Sequence, residues 1–226
     1  MVRQVSSKSM MNIADDPRYR ELVCNIDITD KCVLACTKCM RQHWPGLHKR
    51  GSDLLPEDFR KIVKFFNKIS WCGQMGDPIY HRNMHALLDV AIEEQANLSI
   101  ATNGFGKKDK WWDISYEKAA QIKEHRWIFG VDGLPKDSHK YRINQDGEDV
   151  FRQMVRGVKA GNKICWQYIV FSYNENDIDE ARKMADDNGI VFLLLESSRW
   201  YSKDDPLRPS KHFIDRIVGK EIEMNL

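Results

Sequence analysis

Six short apolar runs, Leu22–Ile28, Ile69–Cys72, Leu98–Thr102, Trp127–Val131, Ile164–Phe171 and Ile190–Leu195, alternate along this chain with amphipathic helical patterns. That alternation limits the fold more than any other feature. Strand, helix and strand in succession form a βαβ unit, and successive units in one sheet run parallel with right-handed crossovers. Phe59, Ile62, Val63 and Phe66 recur at i, i+3, i+4, i+7, behind Pro56 and the acids Glu57 and Asp58 that suit a helix start. Further helices are expected at roughly Met84–Ala96, Tyr116–His125, Val150–Ala160 and Asp177–Asn188, the last capped by Gly189. The class is therefore α/β. Strand count alone does not choose between an open doubly wound sheet and a barrel, complete or partial. With no internal repeat or linker, one domain is expected over residues 21–197, after a polar leader at 1–20. Residues 198–226 read as a short C-terminal covering segment, with Pro206 and Pro209 before a last helix.

The unusual residues fall where such a fold binds ligands. Cys32, Cys36 and Cys39 follow the first run, Gly73-Gln74-Met75-Gly76-Asp77-Pro78 the second and Thr102-Asn103-Gly104 the third. Asp132-Gly133 follows the fourth, Ser172-Tyr173-Asn174 the fifth and Glu196-Ser197 the sixth. Every cluster sits at a carboxyl end, the ligand-binding edge of parallel α/β proteins. Singly each has a plainer reading: Asn103-Gly104 and Asp132-Gly133 as turns, Gly73 and Gly76 as a tight strand exit.

The spacing C-x3-C-x2-C presents three thiolates from one loop and supplies no fourth. An iron–sulfur cubane bound this way keeps one iron open, whereas a structural zinc site closes with four ligands. His43 and His48 lie close behind Cys39, so a zinc-stabilised Cys3His binding module is the alternative. Such a module would take RNA through the Lys107–Trp112 stretch, where Lys107, Lys108 and Lys110 run into two tryptophans; the plainer reading of that stretch is a solvated loop with two half-buried indoles. Cys72 and Cys165, set in apolar runs, read as small core residues.

Bulk properties bound the partners. The 226 residues carry 35 basic and 33 acidic side chains, a net +2, so no global field recruits nucleic acid or anionic membrane. Absence of a long apolar span and of a signal-like leader leads to the expectation of a cytoplasmic protein with reduced thiols.

Taken together, these motifs strongly resemble the radical S-adenosylmethionine (SAM) superfamily from about Leu22 to Ser197. NIDITDKCVLACTKCMR is similar to the family's cluster loop, and CGQMGDP to its glycine-rich motif. SIATNGF matches the third strand and its exit, and FGVDGLPKDSHKYR the fourth strand and the segment after it. WQYIVFSYNENDIDEARKMA looks like the fifth βα unit of members that carry a SPASM or twitch extension. The resemblance implies a partial (β/α)6 barrel, one [4Fe–4S] cluster on Cys32, Cys36 and Cys39, and SAM chelating the open iron. One electron from a flavodoxin- or ferredoxin-like reductant would then release a 5′-deoxyadenosyl radical that takes hydrogen from a substrate.

By the same resemblance, the backbone at Gly76 and Asp77 receives the methionyl amino group and Arg142 the SAM carboxylate. Leu193 and Leu195 are candidates for the apolar bed of adenine, and core packing accounts for them equally well. Two positions depart from the pattern. Lys38 stands where an aromatic residue near adenine is usual, and Gly130 replaces a ribose-contacting serine, leaving Asp132 nearby as a hydroxyl acceptor. No cysteine follows the sixth run, so the auxiliary clusters of SPASM and twitch relatives are not expected, and redox-neutral chemistry gains weight. Peptides, sugars and nucleotide-derived molecules are all open as substrates; membrane and nucleic-acid partners are not expected.

Overall fold

The computed structural model describes residues 21–44, 46, 51–197, 199–200 and 202–210. The leader at 1–20, His48 and the expected last helix lie outside them. Within them, six strands form one sheet in the order of the chain: β1 (Val23–Ile26), β2 (Lys68–Trp71), β3 (Asn97–Thr102), β4 (His125–Gly130), β5 (Ile164–Val170) and β6 (Val191–Glu196). All five pairings are parallel, and β1 and β6 each have a single neighbour, so the sheet is an open, partial barrel. Each strand lies within two residues of its expected start.

Between β1 and β2 come a single turn, α1 (Met40–His43), and α2 (Pro56–Phe65). The later connections carry α3 (Met84–Glu93), α4 (Asp109–Ala119), α5 (Gly147–Lys159) and α6 (Ile178–Asp187). Strand alternation sorts the two faces of the sheet. Trp71, Ile100, Trp127, Phe129, Trp166 and Tyr168 are fully buried in the layer shared with the helices. Ala101, Ile128, Gln167 and Ile169 point the other way, into a cavity at the carboxyl end.

One helix differs from the expectation. α4 begins at Asp109 and ends at Ala119, so the expected span Tyr116–His125 is displaced toward the carboxyl end, and His125 opens β4 instead. The signal for the true helix is Trp112, Ser115, Tyr116 and Ala119, an i, i+3, i+4, i+7 stripe that is wholly buried. Trp112 stacks on Tyr116 at 5.3 Å and meets Trp127 edge-on at 5.5 Å, while Lys107 Nζ lies 5.1 Å from the Trp111 ring. Of the two tryptophans in Lys107–Trp112, Trp112 is therefore wholly buried and Trp111 half-buried. No helix among the described residues is long and apolar enough to cross a membrane.

Candidate functional site

A cavity of about 310 Å³ opens at the carboxyl ends of the strands, within the size range of small-molecule sites. Cys32, Cys36 and Cys39 all line it, free of disulfides and half-buried. The loop that carries them is fastened from both sides. Ala35 and Thr37 donate backbone hydrogen bonds to the Ile143 and Tyr141 carbonyls, each at 3.2 Å, and Cys39 N–H donates to Cys36 O at 3.0 Å. Arg41 Nη1 donates to Cys32 O at 3.2 Å.

Burial, and next the Asp77 carboxyl, push the Cys32 thiol up to about 11; burial also raises Cys36, against the pull of Arg142. The Cys32 and Cys36 thiols of the metal-free chain therefore favour the protonated form, and loading a metal must release those protons. Among the described residues no three His, Cys, Asp or Glu side chains are drawn together around one ion. A tetrahedral zinc would hold three thiolates about 3.8 Å apart, from a Zn–S length of about 2.3 Å. A cubane would take three soft thiolate donors, and the three cysteines sharing one cavity wall suit it in chemistry. His43 stays exposed, its Nε2 3.3 Å from the Thr37 carbonyl.

The glycine-rich exit of β2 forms the next wall. A Cβ on Gly76 would lie 2.2 Å from the Thr29 carbonyl oxygen and 2.7 Å from Lys31 N, so only glycine lets this loop pass the segment leading into the cysteines. Asp77 N–H donates to Lys31 O at 2.7 Å. The buried Asp77 carboxylate accepts from Thr102 Oγ1 at 2.8 Å and from Asn103 N–H at 2.5 Å, tying the exits of β2 and β3 together. Asn103 in turn directs Nδ2 at Cys32 Sγ, 3.5 Å away.

Arg142 is a cavity residue, not a surface charge. Its side chain is 13% exposed and its Nε donates to Asp132 Oδ2 at 2.8 Å, where Asp132 is 0% exposed. The other Asp132 oxygen accepts from Ile169 N–H at 3.0 Å. Each oxygen of Asp132 thus has a protein donor, and the carboxylate holds Arg142 in place. Burial opposes the charge on Arg142, but Asp132, Cys36 and Tyr141 together outweigh burial and hold the guanidinium charged. Gly130 explains itself here: a Cβ there would come within 2.3–2.7 Å of the guanidinium atoms Nη2, Cζ and Nη1. The absent serine side chain is the space that Arg142 fills.

The remaining residues divide. Lys38 does not face the cavity; it is buried, with Nζ 2.5 Å from Asp205 Oδ2, and so fastens the covering segment to the cysteine loop. Leu193 and Leu195 pair with Gln167 and Ile169, putting them on the cavity side of the sheet but outside the cavity lining. Cys165 is buried as expected, whereas Cys72 lines the cavity, because the last residue of its run already faces inward at the strand exit. Sequence reasoning missed Tyr141, Gln167 and Arg199 in the lining, and Gln145, whose Nε2 donates to Asn103 O at 2.6 Å and Gly130 O at 3.0 Å. Gln145 carried no sequence signal, since a lone glutamine after a 3-10 turn reads as solvated surface.

Comparison with known proteins agrees with this arrangement. No family model matches the chain. It is 23% identical over 186 residues to the GTP 3′,8-cyclase of Aquifex aeolicus, covering 77% of this chain and 56% of the cyclase. The GTP 3′,8-cyclase of Sinorhizobium medicae is 26% identical over 187 residues, covering 76% and 50%. The chain thus spans about half the length of the curated relatives it matches. Among solved structures, Streptococcus suis SuiB bound to S-adenosylmethionine superposes with a TM-score of 0.68 at 16% identity, over 87% of this chain and 46% of SuiB. A radical SAM methyltransferase from Sphaerobacter thermophilus gives 0.56 at 13% identity, over 85% and 61%. In its strand order and in the placement of its three-cysteine loop after β1, the chain has the fold of a radical SAM core domain.

Proposed function

We propose that this chain is a radical SAM enzyme that holds one [4Fe–4S] cluster on Cys32, Cys36 and Cys39 and binds SAM beside it. The observation that carries this reading is convergence: the three cysteines, Gly76, Asp77 and Arg142 arise from separate loops and line one cavity. When bound, the cluster and SAM supply one-electron cleavage of the sulfonium bond and a 5′-deoxyadenosyl radical, chemistry that belongs to the cofactors.

The chain's own residues position and shield. Asp132 takes the Nε edge of Arg142, leaving the two Nη groups above Gly130 as a fork for the SAM carboxylate. Gly76 and Asp77 offer backbone at the site of the methionyl amino group, held by the Asp77–Thr102–Asn103 bonds. Leu193 and Leu195 supply an apolar strip for adenine on the cavity side of β6. The Lys38–Asp205 pair keeps the segment after β6 over the cysteine loop, which limits water access. The electron comes from an external flavodoxin- or ferredoxin-like reductant.

The substrate is a peptide, a sugar or a nucleotide-derived molecule. The matched relatives are cyclases acting on GTP, and SuiB is known bound to its precursor peptide SuiA. The test is anaerobic reconstitution, reduction and chromatography. 5′-Deoxyadenosine should form from SAM in wild type and fall below a hundredth of that rate in Cys32→Ala, Cys36→Ala or Cys39→Ala. A protein that takes up only zinc and yields no nucleoside product sinks the reading.

A further inference from the structure

A second concavity, of about 470 Å³, lies at the opposite, amino end of the barrel. The first residues of β1 to β4 and the turn before β5 form it, with Lys68, Ser99, Lys123, Arg126 and Lys163 in the wall. Four cations meet one carboxylate there, Glu124, an excess of three positive charges in one small hollow of a chain whose net charge is +2. Lys68 is 3.5 Å from Glu21. Lys123, Arg126 and Lys163 have no ion-pair partner among the described residues, and Arg126 Nε donates to Ser99 Oγ at 3.1 Å, which fixes the fork without neutralising it. Several cations elsewhere are paired: Arg152 and Arg156 both bind Asp109, Lys118 binds Asp89, and Arg60 binds Glu93 and Glu94.

A concave wall of one sign focuses its field inward and gathers counter-ions. A single carboxylate would answer one of these cations; a chain of phosphates answers several, and a guanidinium fork beside ammonium groups suits phosphate oxygens. The hollow and the upper cavity lie on the same face of the sheet. On β4 the inward residues run Arg126, Ile128, Gly130, and on β3 they run Ser99, Ala101, Asn103, the upper pairs lining the cysteine cavity. Each two-residue step is about 6.6 Å.

We propose that the amino end of the barrel binds a phosphorylated small molecule through a di- or triphosphate group, held by Arg126, Lys163, Lys123 and Lys68, with the rest of the molecule extending up the interior face. The site stands whether or not the upper cavity carries a cluster.

Isothermal titration of the full chain with inorganic tripolyphosphate, pyrophosphate and phosphate tests this, with and without the reconstituted cluster. Saturable one-site binding is expected, tightest for tripolyphosphate and weakening with salt. Arg126→Gln with Lys163→Gln should weaken it at least tenfold, while Lys183→Gln, on the outer face of α6, leaves it unchanged. Lys163 is exposed, so Lys163→Gln alone, expected to cost about threefold, serves if the double variant misfolds. Absence of saturable binding overturns the proposal. So does binding that survives Arg126→Gln with Lys163→Gln but is lost in Arg142→Met, or a wall that takes an RNA oligonucleotide which tripolyphosphate does not displace.

Discussion

Replacing Arg142 by Met should leave Asp132 as a carboxylate with no cation, in a site of zero exposure. The wild-type pair is close (2.8 Å) and its guanidinium is only 13% exposed, so solvent does little to screen it. Removing one partner of such a buried pair costs about 3–5 kcal/mol. For a domain of this size each kcal/mol moves the melting point by about 2–4 °C, so Arg142→Met should melt about 6–20 °C lower. Asp132→Asn in the same chain removes the stranded charge and keeps an acceptor for Ile169 N–H. The double variant should recover at least half of the loss. The pH dependence has a definite sign. Burial raises the folded pKa of this carboxyl, and without Arg142 only the Ile169 N–H bond opposes it, so the variant's stability is fullest below the ordinary carboxylate range and declines from there as pH rises through the raised folded pKa. Urea unfolding of the four chains of this cycle, at pH 5 and pH 8, measures all three effects. A single-variant cost under about 1 kcal/mol, or a double variant at the sum of the singles, would falsify the placement of Arg142 as the buried partner of Asp132.

Three further outcomes are expected from the same contacts. Gly76→Ala puts a methyl group against the Thr29 carbonyl and Lys31 N, both backbone, so about 1–3 kcal/mol of stability should be lost in urea, and an unchanged midpoint contradicts the close approach. Asp53 accepts from Thr29 Oγ1 and Lys31 Nζ, both at 2.6 Å; burial works to raise its carboxyl, but these bonds prevail and hold it at about 2. That contribution is complete above about pH 4 and lost as pH falls toward 2, so the stability gap between wild type and Asp53→Asn should close over that window. Lys38→Met removes the ammonium that Asp205 Oδ2 accepts from and should loosen the segment after β6, read as faster proteolysis between Ser197 and Ser210; equal cleavage rates would count against the strap.

The fold was largely legible because its signals are local. Six apolar runs with turn-forming residues behind them located the strands, and the pleat then put each polar cluster at one edge. α4 was misplaced because Trp111-Trp112 beside three lysines looks solvated in sequence, whereas Trp112 belongs to the stripe completed by Tyr116 and Ala119. Within the site, the cysteines and the glycine motif were legible from spacing. What escaped depends on contacts between distant segments. Lys38 is explained by Asp205, 167 positions away, Gly130 by the guanidinium that fills its place, and Gln145 by two carbonyls, one just after β3 and one at the end of β4. No periodicity encodes such pairings.

If three cysteines hold the cluster, one iron stays open, and SAM takes it. Mössbauer spectroscopy of the ⁵⁷Fe-reconstituted chain, recorded before and after SAM is added, addresses that directly. The expected result is a [4Fe–4S] signal in which one iron of four changes its isomer shift on SAM binding, and loss of that change in Arg142→Met at equal cluster content. A cluster whose four irons ignore SAM, or a chain that holds no iron after reconstitution, would contradict it.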